Sequence, residues 1–403
     1  MQFSTFVDYA VAYWLDCLKT GKPLRTLCLL GPPGIGKSAA AEEIVERMTM
    51  IVRKDPSLVY HGATPPPSNE IVGACHLMDF TSKLPEDLSG LPWRTEDEAG
   101  NSYTEYCPQR WVADLCGPHS FGVYVQDDIT QAGKNMQVAG RQSALERRIH
   151  EHRFAPGVLV LVTGNRREDK AAAGTLPSHF INSITMLSIE PSLKDWTKWY
   201  GSQPGLDPMI ANFLRWKQEL LSQSPSHADK QGRFATPRQW AALGAQYATA
   251  HAMNLLNEVS MGLVGEAAGV TFCSFVDIYS QLVDPELVFD NPKGVLPNPR
   301  EKLTDPSKVI AMVTALGVIG ARRSRSSKTS EKSEAPEKLM RALSWVTSGK
   351  NEHCATGVYT FLDNKGNLTE LARVAREHRD DKELGGLLTH LKSALLRPSQ
   401  QDK

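Results

Sequence analysis

The stretch Gly31-Pro-Pro-Gly-Ile-Gly-Lys-Ser38 constrains this chain more than any other, and it directly follows the apolar run Leu27-Cys-Leu-Leu30. It fits the spacing G-x-x-x-x-G-K-[ST] of a phosphate-cradling loop. The physical reading is direct. A strand ends at Leu30, and glycines let backbone N–H groups turn inward around an anion. A helix then starts near Gly36 and aims its positive end at the same point. Lys37 supplies a mobile charge for the β- and γ-phosphates, and Ser38 a hydroxyl for Mg²⁺. The residues from Ser38 to Met48 contain neither Pro nor Gly, so the strand–loop–helix context is complete. The chain therefore binds a nucleoside triphosphate, with ATP and Mg²⁺ as the expected cofactors. The residues that line it are Gly31, Pro32, Pro33, Gly34, Ile35, Gly36, Lys37, Ser38 and Ala39.

Four further apolar runs predict the strands of a parallel sheet around this loop. They are His76–Phe80, Phe121–Gln126, Val158–Thr163 and Ile184–Ile189, the third an unbroken run of the buried parallel type. The second ends in Asp127-Asp128. Acidic residues at the carboxyl end of a parallel strand sit beside a phosphate loop on a neighbouring strand. Asp127 is then placed to hold Mg²⁺ through water and Asp128 to orient the attacking water. The third run stops at Gly164-Asn165, where the amide either positions water against the γ-phosphate or caps the following turn.

Around these runs the sequence is more varied. Phe3, Phe6, Tyr9, Ala10, Tyr13, Trp14 and Cys17 fall at helical spacing and predict a helix packed on the next domain, with a platform for the nucleotide base as the second reading. Residues 49–70 are broken by Asp55-Pro56 and three consecutive prolines, and read as a surface excursion. Leu91–Thr95 and Tyr103–Tyr106 flank a polar turn and predict a hairpin. Trp93, Tyr103 and Tyr106 pair across it, or contact a substrate. Gln137–His150 reads as a helix with a basic end. Beyond Pro191 helical runs take over: 196–200, 208–221, 238–254 and 266–282, the third opened by the cap Thr236-Pro237. Residues 322–338, rich in Ser, Arg, Lys and Glu, predict a flexible linker. Its basic start at Arg322, Arg323 and Arg325 is a weak candidate for nucleic acid, and 339–403 is a small helical segment.

The 403 residues leave room for two or three domains. A formal net charge of zero removes any global drive toward nucleic acid. Seven cysteines without a C-x-x-C pair argue for a reducing, cytoplasmic setting, and against a zinc ribbon or disulfide framework. The longest apolar run, Val309–Ala321, is too short to span a bilayer, so no membrane insertion is expected.

The ordered set of motifs resembles an AAA+ ATPase, most nearly the MoxR branch and its stand-alone bacterial and phage members. The phosphate loop is 31–38, the Walker B strand Val123–Asp128, sensor 1 Thr163-Gly-Asn165, and sensor 2 Ala235-Thr-Pro-Arg-Gln-Trp240. Asp87-Leu-Ser-Gly-Leu-Pro92 looks like that branch's hairpin insert, and the likeness covers about residues 24–320. The resemblance implies a three-layer αβα core with a parallel sheet over 1–191, carrying the insert at about 84–110. A helical lid over 192–321 follows. It also implies that Lys37 and Ser38 bind phosphates and Mg²⁺, that Asn165 senses the γ-phosphate, and that Arg238 reaches the nucleotide from the lid. Its members imply a homo-hexamer acting on a protein client, often one with a von Willebrand A domain.

Two departures stand out. The family's Walker B usually ends in Asp-Glu, and here Asp128 replaces the Glu, one methylene shorter. The family usually has Asn-Arg before the fifth strand, the Arg entering a neighbour's site; here it is Asn182-Ser183. Arg147, Arg148, Arg166 and Arg167 are the candidate substitutes. The competing readings are a slowly hydrolysing scaffold or switch, and a DNA-linked motor or loader.

Overall fold

The computed structural model describes residues 1–169, 174, 176–325 and 329–347, with isolated positions between 357 and 384. The chain divides into two compact units, Met1–Asp195 with Ser224–Ser226, and the remainder from Trp196 onward.

The first unit opens with α1 (Phe3–Thr20), β1 (Leu27–Leu30), α2 (Ala39–Lys54), α3 (Ser57–Tyr60), β2 (Ala74–Asp79) and α4 (Pro85–Ser89). A hairpin of β3 (Leu91–Glu96) and β4 (Ser102–Cys107) follows, then α5 (Arg110–Cys116), β5 (Phe121–Asp127) and α6 (Lys134–Arg141). The small ladder β6 (Arg148–Ile149) and β7 (His152–Arg153) precedes β8 (Gly157–Gly164), α7 (Ser178–Ile181) and β9 (Thr185–Ser188), and α8 (Leu193–Tyr200) runs across the division at Asp195. The five-stranded sheet runs β2-β5-β8-β1-β9 and is parallel throughout.

Period-two alternation explains why the central strands are apolar on both faces. Leu27, Leu29, Val123, Val125, Leu159 and Leu161 meet α1 and α2 on one side. Cys28, Tyr124, Val158, Val160 and Val162 meet α5, α6 and α7 on the other. The expected αβα core is what the chain builds. The N-terminal helix packs on this core as predicted: Phe6, Ala10 and Trp14 are fully buried, and Trp14 Nε1 donates to the Gly157 carbonyl at 2.8 Å. Of the large side chains of this stripe only Tyr9 is exposed, stacked on Tyr13, and the half-buried Phe3 ring lies beside Gly36 of the phosphate loop.

Three expectations are corrected. The 76–80 run is not a buried strand: β2 lies at the sheet edge, with Cys75 and Leu77 exposed and Met78 inward. The helix expected to reach His150 ends sooner. It passes through a π-helical turn at Gln142–Glu146 and stops at Arg147, whose φ of 53° lies in the left-handed region. The hairpin aromatics do not pair directly across: Trp93 faces Glu105, Tyr103 faces Thr95 and Tyr106 faces Pro92.

The second unit is helical: α9 (Pro208–Trp216), α10 (Pro237–Ala252), α11 (Leu256–Val264), α12 (Glu266–Ser280), α13 (Pro285–Asp290), α14 (Pro292–Val295), α15 (Pro299–Lys302), α16 (Pro306–Arg323) and α17 (Thr329–Thr347). Phe213 is its aromatic hub, with ring centroids 5.3 Å from Trp240, 5.3 Å from Phe272 and 5.6 Å from Phe275. The linker expected over 322–338 is not there as such. From 329 on it is the start of α17, whose Ala335, Leu339, Met340 and Leu343 are buried against α16 and α13; residues 326–328 lie outside the described residues. A Ser/Lys/Glu-rich surface face masked that apolar stripe. Two members of the basic cluster are tied into the fold: Arg322 pairs with Glu286, and Arg323 pairs with Glu286 at 2.8 Å and Asp290 at 2.6 Å, while Arg325 is exposed. Among the described residues no helix is long and apolar enough to cross a membrane.

Candidate functional site

The phosphate loop leaves the carboxyl end of β1, the strand at which the sheet divides between β8 on one side and β9 on the other. Such a switch point opens a crevice above the strand ends. Gly34 and Gly36 hold φ of 76° and 93°, values that a side chain tolerates poorly. A Cβ on Gly31 would stand 2.7 Å from Ile35 Cδ1 and 2.8 Å from the Ile189 carbonyl oxygen, so the loop's first position has no room for one. The helix after the loop is assigned from Ala39, and winding begins earlier, because the Ala40 N–H donates to the Gly36 carbonyl at 3.1 Å.

The loop side chains are tied to the strand-end residues singled out in the sequence. Lys37 is 7% exposed. It donates to the carbonyls of Gly31 at 3.0 Å and Pro32 at 2.9 Å, and to Asn165 Oδ1 at 2.8 Å. Ser38 Oγ donates to the Asp127 carboxylate, 2.8 Å from each oxygen. Thr163 Oγ1 donates to Asp127 Oδ1 at 2.5 Å and accepts from the Asp128 N–H at 3.1 Å. Thr130 Oγ1 accepts from the Asn165 N–H at 2.9 Å. Lys37, Ser38, Asp127 and Asn165 thus form one connected rim. Thr163 and Thr130, which the sequence reading did not assign roles, hold its members. Their signal was the position beside an acid or an amide at a strand end.

Asp128 follows the end of β5 with φ of 53°, a left-handed conformation that Asp adopts more readily than most residues. The bend places its carboxylate on a turn, which the Gln131 N–H closes by donating to the Asp128 carbonyl at 2.9 Å.

The donor set fits a magnesium nucleotide. A buried ammonium beside a loop with two left-handed glycines suits phosphate oxygens. A hydroxyl against a carboxylate at the helix start suits a divalent cation with oxygen ligands. Arg238 stands on the first turn of α10 in the second unit, where Thr236 Oγ1 accepts from the Gln239 N–H at 3.3 Å.

Three of the four arginines expected to stand in for Ser183 have other duties. Arg147 is half-buried and donates to the carbonyls of Ala155 at 3.1 Å and Val158 at 2.5 Å, and desolvation pulls its pKa down. Arg148 pairs with Glu146 at 2.7 Å. Arg166 is bound to Asp169 at 3.0 Å and also to Glu190. The side chain of Arg167 lies outside the described residues. A residue the sequence reading missed occupies the Ser183 region instead. The exposed Arg25 donates to the Ser183 carbonyl at 3.1 Å and the Asn182 carbonyl at 2.9 Å. Arg25 enters two residues before β1, so no sequence neighbourhood links it to Ser183.

No protein-family model matches the chain, and no curated protein matches it. Among solved structures it is similar to the Thermotoga maritima RuvB Holliday junction branch migration motor, at 14% identity, 78% of this chain, 88% of that chain and a TM-score of 0.34. It is also similar to a DNA polymerase III gamma subunit-related protein from Thermotoga maritima, at 11% identity, 90% of this chain, 99% of that chain and a TM-score of 0.28. A DNA replication initiation factor matches at 11% identity over 94% of this chain and 91% of that chain, with a TM-score of 0.27. Likenesses this loose carry no weight for function or partners.

Proposed function

We propose that this chain is an AAA+ ATPase of MoxR-like type, which binds ATP with Mg²⁺ at the rim above β1 and works as a ring of identical subunits, expected to be six, that remodels partner proteins. The observation that carries the reading is the joining of Lys37 to Asn165 and of Ser38 to Asp127. The meeting of three separate motifs at one point is what a single shared ligand requires.

In this reading Lys37 and the loop N–H groups hold the phosphates, and Ser38 and Asp127 hold Mg²⁺. When bound, the ion supplies positive charge to the β- and γ-oxygens. Asp128 accepts the proton of the attacking water, Asn165 orients that water against the γ-phosphate, and Arg238 contacts the phosphates from the lid. Arg167, and Arg25 on release from the Asn182 and Ser183 carbonyls of its own chain, are the candidates for the trans role that Ser183 cannot fill. A protein client, with or without a von Willebrand A domain, is the expected partner.

The test is turnover and assembly measured together. The purified chain should hydrolyse ATP only with Mg²⁺, assemble with a slowly hydrolysed analogue, and lose turnover as Lys37→Ala. Asp128→Asn in ATP should trap the client in a pull-down. A chain that neither binds nor hydrolyses ATP sinks the proposal. The second reading, an ATP-dependent switch with slow turnover, is favoured by Asp128 and Ser183 standing where Glu and Arg are usual; turnover typical of ring ATPases removes it. A DNA-linked motor predicts ATPase stimulated by DNA, and rates indifferent to added DNA would end that reading.

A further inference from the structure

The β3–β4 hairpin is exposed along both strands, and one of its faces touches the rest of the unit through Tyr106. Tyr106 stacks on His150 with centroids 4.5 Å apart, and Arg94 on that same face is tied to Ser102 Oγ at 2.8 Å and to Glu96 at 3.2 Å. Strand register puts Leu91, Trp93, Tyr103 and Glu105 on the opposite face. There Leu91 is 77%, Trp93 67% and Tyr103 43% exposed. This is a large apolar offering for a hairpin that contributes little to the core.

Its charge decides what it can take. Residues 91–107 carry Glu96, Asp97, Glu98 and Glu105 against the single cation Arg94, in a chain whose net charge is zero. Glu105 is the direct cross-strand partner of Trp93, which puts their Cβ atoms about 5 Å apart. Thr95 Oγ1 donates to Glu105 Oε2 at 3.2 Å and steadies that carboxylate. An aromatic face beside a carboxylate is a cation-recognising pair, since the ring quadrupole and the acid attract the same charge. Tyr103 lies diagonal to Trp93, within reach of the same ligand side chain, and Leu91 lies two residues along the strand. A phosphate backbone would meet the Glu105 carboxylate and find no cation on this face.

We propose that this face binds an extended, arginine-bearing segment of a partner protein. The guanidinium lies over Trp93 beside Glu105, and an apolar residue two positions away covers Leu91. The surface is separate from the nucleotide rim, and it rests on the remodelling reading only in making that segment's owner a client.

The test uses the full-length chain with Mg²⁺ and ATP, and a fluorescent peptide of repeated Arg-Ser-Leu-Ser, which sets arginine and leucine two positions apart on one face, read by anisotropy. The expected result is binding that weakens steeply with salt and falls about tenfold in Trp93→Ala and in Glu105→Lys. ATPase turnover and melting temperature should match the parent in both variants, and Glu105→Gln reads the same loss should Glu105→Lys fail to fold. No peptide binding, equal binding of the glutamate-for-arginine peptide, or indifference to both substitutions overturns the inference. So does a single-stranded oligonucleotide that binds and is lost with the same substitutions. ATPase measured in parallel separates this failure from that of the proposed function, because peptide binding does not require hydrolysis.

Discussion

The nucleotide rim and the β3–β4 hairpin, both in the first unit, treat their side chains in opposite ways. At the rim Lys37, Ser38, Asp127 and Asn165 are held by one another and by Thr163, at strand ends that packing has already fixed. On the hairpin Leu91, Trp93 and Tyr103 stand out in water, fixed only by the strand register. Preorganisation suits chemistry, where displacement of a charge by an ångström is costly. Presentation suits recognition, where desolvation on contact supplies the energy.

ATPase turnover sharpens that contrast, with the largest effect at the rim. Lys37→Ala should lower turnover about 1,000-fold, measured by phosphate release, because the buried ammonium has no substitute. Asp128→Asn should lower it about 100-fold while ATP is still retained, which filter binding checks. Arg25→Ala should lower it about tenfold, an exposed guanidinium being worth less than a buried one; the loss should appear in the assembled ring and be absent in a dilute, dissociated chain. Trp93→Ala should change turnover by less than about twofold. A large loss there would erase the distinction between the two regions.

The smallest effect concerns the packing of β2 on α5. His76 on β2 stacks on Trp111 of α5 with centroids 4.4 Å apart, and burial lowers its pKa against a weaker opposing pull from Asp114. A base whose folded pKa is depressed stabilises the fold above its ordinary value of about 6.5, and that contribution is lost as pH falls through the window below it. Melting measured at pH 7.5 and 5.5 should show a drop of a few degrees at most in the parent and a smaller one in His76→Phe.

Much of the core was legible because its chemistry dictates spacing. A phosphate loop admits few sequences, and strands buried on both faces must be apolar without interruption, as β5 and β8 are. Less legible were the features decided by distant packing. Nothing near Gln142 announces a π-helical turn, which ends where Arg147 finds the carbonyls of Ala155 and Val158. The start of α17 read as a tether because one helical face is solvated, while Ala335 and Leu339 sit on the other. Of the site, the rim residues were visible; Arg25 was not, since its partners lie 157 and 158 positions away.

The left-handed backbone at Asp128 bears on how this site can change over generations. Aspartate is among the few residues that accept φ near 53° at modest cost, and glutamate is not one of them. Restoring the longer acid would lengthen the reach of the carboxylate while opposing the turn that aims it. A lineage moving between the two acids would therefore have to relax the turn and swap the side chain together. The single methylene between aspartate and glutamate is an epistatic barrier, held in place by the main chain.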